Sequence, residues 1–107
     1  MDRDRGSAPA ACTLGAGDRA RRASRWEALT GRSLVRAARI ERGVRLVFAA
    51  NLGVADELRS LIALERDCCA FATWSVHEHG AELALDVTAD GADAVAAVRS
   101  LFAALIP

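Results

Sequence analysis

A chain of 107 residues has the size of one domain, and 52% hydrophobic residues exclude an intrinsically disordered one. Its 14 basic and 14 acidic residues cancel to zero formal charge, which argues against a general electrostatic grip on nucleic acid or on an anionic membrane surface. Every basic residue is arginine, which with the abundant alanine fits a GC-rich bacterial genome; because these arginines are scattered along the sequence, an arginine-lined anion site is not expected.

Residues 1–11 are charged and small, and read as a flexible leader ahead of one domain at 12–107. The N-terminus lacks the apolar stretch of a secretory signal, and no segment approaches the ~20 apolar residues of a membrane span. A cytoplasmic chain with reduced thiols is therefore expected. A first helix is predicted from Asp18 to Leu29, with Trp26 on its apolar stripe, Asp18 favourable to the helix dipole and Gly31 as a stop. Leu34 to Glu41 and Val44 to Ala49 read as a hairpin turning at Arg42-Gly43, with Val44, Leu46 and Phe48 on one face. Val54 to Cys68 is the strongest helical pattern: Leu58, Leu61, Ile62 and Glu65 recur at i, i+3, i+4 and i+7. Phe71 to His79 and Ala81 to Thr88 read as a second hairpin through Gly80, and Ala92 to Leu105 as a closing amphipathic helix.

The order α-β-β-α-β-β-α implies an α+β fold: a four-stranded antiparallel sheet with helices packed mainly on one face. A single helix layer leaves the other face open. If Phe71 packs inward with Leu83 and Leu85, then Ala72, Trp74, Val76 and Ala84 form an apolar outer patch. Such a patch predicts a homodimer, unless the helix bearing Trp26 crosses over to cover it.

The residues that stand out chemically are the three cysteines, Cys12 and the adjacent Cys68 and Cys69. Thiolates prefer soft ions such as Hg(II), As(III), Cu(I) or Zn(II), and a bend at the helix end can turn two adjacent sulfurs towards one ion. The spacing is not that of a Cys-x-x-Cys zinc site. Cysteine also packs as a small hydrophobe, and Cys69 continues the core stripe from Leu58, so a structural or interaction module with buried cysteines is the plain alternative. Glu65 lies one turn before the pair, either as a proton donor or as a residue paired with Arg66 or Arg22. His77 and His79 share one strand face, a weaker metal pattern. The sequence contains no nucleophile elbow, phosphate-cradling glycine loop, HExxH or nucleic-acid motif, and it calls for no organic cofactor.

Cys12-Thr13-Leu14, the segment Leu61 to Phe71 (LIALERDCCAF), the strand Leu83 to Thr88 and Leu101-Phe102 resemble a group of short bacterial proteins. Those proteins carry an early Cys-x-Leu and a central Glu-x-x-Cys-Cys-x-Phe. The resemblance spans residues 12–102 and departs at Ala70, where proline is usual. It matches the group at Cys12, Glu65, Cys68, Cys69 and Phe71, and implies a link to metal resistance and mercury-type regulators. The resulting expectation is a soft-metal or metalloid site with Cys12, Cys68 and Cys69 as ligands. The alternative is an enzyme like the organomercurial lyases, in which two cysteines hold the metal and Glu65 protonates the departing carbon.

Overall fold

A computed structural model describes residues 16–68 and 70–106; the predicted leader, Cys12 and Cys69 lie outside them. The elements are α1 (Ala16–Ser33), β1 (Leu34–Ile40), β2 (Gly43–Ala49), α2 (Val54–Cys68), β3 (Ala72–His79), β4 (Glu82–Ala89) and α3 (Ala92–Leu101), followed by a 3₁₀ turn at Ala103–Leu105. The order is α-β-β-α-β-β-α, and the four strands form one antiparallel sheet in the spatial order β1-β2-β4-β3. Two hairpins thus meet through their second strands, and each is followed by a helix.

The period-two pattern sets the inner face. Val44, Leu46 and Phe48 on β2 lie opposite Val87, Leu85 and Leu83 on β4, and all six side chains are buried under the helices. Leu58, Leu61 and Ile62 of α2, Leu29 of α1 and Val98 of α3 complete this core. Gly43 is required where β2 meets β4, because a Cβ there would overlap the Val87 carbonyl oxygen.

Several local expectations change. The first hairpin turns at Glu41-Arg42, one residue early, with Arg42 accepting a positive φ of 66°. α1 does not stop at Gly31 but runs to Ser33, directly into β1. Nothing lies within 4 Å of a Cβ built at Gly31, so that glycine is neither crowded nor a terminator. Its helix penalty of about 1 kcal/mol is offset by burying Leu29, two residues earlier. The last helix ends at Leu101 instead of Leu105. Phe102 leaves the helical conformation (φ −114°, ψ 15°) and packs edge-on against Trp26 and Trp74, with ring centroids 6.2 and 6.1 Å away.

The predicted apolar outer patch is not there. Trp74 pairs with Val87 and Val76 with Leu85, and residues directly opposite in an antiparallel pair share a face, so both point towards the helices. Phe71, on which the opposite assignment rested, precedes the strand and takes no part in its alternation. Trp74 is 3% exposed, against the Trp26 ring at 6.5 Å between centroids. The helix carrying Trp26 covers this tryptophan within one chain. The outer face carries ion pairs instead: Arg45 with Asp86 (2.6 and 2.8 Å) and Arg36 with Glu82 (3.2 and 3.0 Å). Arg36, opposite Val47 in the strand register, reaches from edge strand β1 to β4 across β2, and Val47 is 5% exposed. The apolar surface that motivated a homodimer is thereby removed.

Candidate functional site

The cysteine end of α2 is built from its core stripe outward. Leu58, Leu61 and Ile62 anchor the helix, and Glu65 emerges one turn later at the seam with α1. Its Oε2 accepts a hydrogen bond from Trp26 Nε1 at 2.9 Å, and its Oε1 lies 3.4 Å from Arg22 Nη1. The Arg22 and Glu65 side chains are only 12% and 14% exposed, and Arg22 Nη1 also donates to the Leu64 carbonyl at 3.3 Å. Two turns upstream, Arg25 grips Glu57 through two hydrogen bonds of 3.0 and 2.8 Å and reaches Ser60 Oγ at 3.2 Å. The Arg25 guanidinium holds the Glu57 carboxyl below its ordinary range.

On the other side, Arg66 Nη2 donates to the Trp74 carbonyl oxygen at 2.6 Å, tying the last turn of α2 to β3. The indole Nε1 of the same Trp74 is buried and has no hydrogen-bond partner among the described residues. Helix α2 is thus held by α1 through Glu65 and by β3 through Arg66, and it delivers Cys68 half-buried at its last position.

Cys68 is disulfide-bonded, where a free thiol was expected. The expectation rested on a reducing compartment and on the odd count of three cysteines. The other two cysteines of the chain, Cys12 and Cys69, lie outside the described residues. Among the described residues no three His, Cys, Asp or Glu side chains converge as a metal site. His77 and His79 are both exposed on the outer sheet face.

Glu65 links the two helices, its Oε2 facing Trp26 and its Oε1 facing Arg22, both on α1. The Trp26–Glu65 bond was not anticipated from the sequence. Its signal was present, since each residue stands at the edge of an apolar helical stripe with one polar tip to satisfy. No helix among the described residues is long and apolar enough to cross a membrane. No family model matches the chain, and no curated protein or solved structure matches it either.

Proposed function

We propose that the reduced chain captures a soft metal or metalloid ion, of the class Hg(II), As(III), Cu(I) or Zn(II), through Cys12, Cys68 and Cys69, and that the Cys68 disulfide is its oxidised, metal-free form. The observation that carries this reading is the disulfide itself. In a chain of three cysteines, the Cys68 sulfur comes within one bond of a second sulfur. Two sulfurs that can bond to each other can, once reduced, both reach one ion.

Activation balances as ordinary thiol exchange. Two external thiols break the bond, leaving two protein thiols and one external disulfide, and ion binding then releases the thiol protons. In a reducing cytoplasm such a bond is a cycled one, not a permanent staple. Glu65 serves as a positioning residue: with Arg22 and Trp26 it fixes the helix turn that presents Cys68.

The test is competitive titration of the reduced protein with each of the four ions, beside a Cys68→Ser/Cys69→Ser variant. Capture requires that wild type bind at least one ion at least about tenfold more tightly, the effect expected for losing outright a charged ligand. Equal affinity in the two proteins would leave the cysteines with a packing or redox role only. Release of benzene from phenylmercury, lost in Glu65→Gln while ion binding is kept, would instead identify the lyase-like enzyme.

A further inference from the structure

The fold gathers three arginines that are dispersed in the sequence. Arg39 at the end of β1, Arg42 in the hairpin turn and Arg99 on α3 line one groove of about 580 Å³ between that hairpin and α3. It continues into a second lobe of about 400 Å³ that shares Arg39 and Arg99. Val95, Ala103 and Ile106 give this groove an apolar wall. None of its lining residues belongs to α1 or α2, so it is separate from the cysteine end of the molecule.

The three cations are not equivalent. Arg42 is neutralised by an ion pair with Asp90. Arg99 donates from Nε to the Gly43 carbonyl (3.3 Å) and from Nη2 to the Ile40 carbonyl (2.8 Å), which fixes its guanidinium against the hairpin but gives it no carboxylate partner among the described residues. Arg39 has neither an ion pair nor a side-chain hydrogen bond among the described residues. Elsewhere on the sheet Arg36 and Arg45 are matched to Glu82 and Asp86. Two uncompensated guanidiniums facing one partly apolar groove, on a chain whose formal charge is zero, are a local imbalance that an anion corrects.

We propose that this groove binds an organic anion, a phosphate or carboxylate carried on a small apolar body. The anionic oxygens lie between Arg39 and the pre-fixed Arg99, and the body rests on Val95, Ala103 and Ile106. The volume suits a ligand of small-molecule size.

Amide chemical-shift titrations with phenyl phosphate and with benzoate, at low ionic strength, test the proposal on the whole chain. The expected result is saturable shifts at Val95, Arg99 and Ala103 for at least one of the two anions, weakened by added salt and reduced about tenfold or more in Arg39→Glu. Which anion binds more tightly reports whether phosphate or carboxylate is preferred. Arg39 is exposed on an edge strand, so its replacement leaves the fold intact, and Arg21→Glu on the far helix α1 controls for overall charge. Absence of saturable shifts, equal binding of uncharged benzyl alcohol, or an equal effect of the two charge-reversal variants overturns it.

Discussion

Replacing Glu65 by alanine tests whether this carboxylate fixes the cysteine-bearing end of α2. The substitution removes the acceptor of a 2.9 Å hydrogen bond from Trp26 Nε1 and the partner of Arg22 at 3.4 Å. A hydrogen bond to a charged group contributes about 1.5–3 kcal/mol. Arg22 keeps the Leu64 carbonyl, which limits the penalty of stranding its charge. We expect a loss of about 2–4 kcal/mol, a large share of the ~5–15 kcal/mol that a domain of this kind has in total. Urea unfolding under reducing conditions, followed by tryptophan fluorescence, reads it directly. Glu65→Gln keeps an oxygen for the indole and should lose less than half as much. In a Trp26→Phe background the Glu65→Ala cost should fall by about 1 kcal/mol, the coupling expected for a direct contact. A Glu65→Ala protein within about 0.5 kcal/mol of wild type, the range of neutral surface changes, would refute the linking role.

Other features carry their own tests. Denatured without reductant, the chain should show one reactive thiol, three cysteines less the two in a disulfide, and three after reduction. Gly43→Ala forces a methyl onto the Val87 carbonyl and should cost about 2–4 kcal/mol by thermal unfolding, with loss of β2–β4 amide protection. Trp74→Phe deletes a buried N–H that has no partner among the described residues, so it should stay within about 1 kcal/mol of wild type in spite of the smaller ring. A larger loss would mean that the indole N–H is in fact satisfied. The Arg45 guanidinium holds the Asp86 carboxyl below its ordinary range. The pair therefore adds stability above the unfolded carboxyl's pKa, near 4, and loses it as pH falls through the lower folded value. Asp86→Asn should flatten the decline in stability as pH falls below about 4, by no more than about 1 kcal/mol for so exposed a partner.

The regular elements were legible because their signals are local. Leu58, Leu61 and Ile62 repeat at helical spacing through the middle of α2, and Leu83, Leu85 and Val87 alternate cleanly, so α2 and β4 stand close to where the pattern put them. The face of β3 was not legible. Residues 71 to 76 alternate without a decisive polar set, and orientation follows from pairing with β4, a non-local fact. Trp74 lies inside because β4's buried face selects it, and Trp26 then closes over it from α1. The break at Phe102 escaped for a similar reason: the Ala92–Leu105 periodicity continues through it, but the aromatic pocket formed with Trp26 and Trp74 bends the chain away. The site was half legible. Adjacent cysteines mark the end of α2 in the sequence itself, and Arg22 was one of two partners it offered for Glu65, whereas the bond from Trp26 to Glu65 depends on three-dimensional proximity. The arginine groove shows the same limit: positions 39, 42 and 99 are brought together by α3 crossing the first hairpin.

X-ray absorption at the metal edge bears most directly on the capture of soft ions by the cysteines. Reduced protein loaded with one equivalent of Zn(II) should show a sulfur-dominated shell at about 2.3 Å, with three sulfurs in wild type and one in Cys68→Ser/Cys69→Ser. Glu65→Gln should leave that shell unchanged. A shell of oxygen and nitrogen alone, or the same shell in wild type and the double-serine variant, would contradict the assignment of Cys12, Cys68 and Cys69 as ligands.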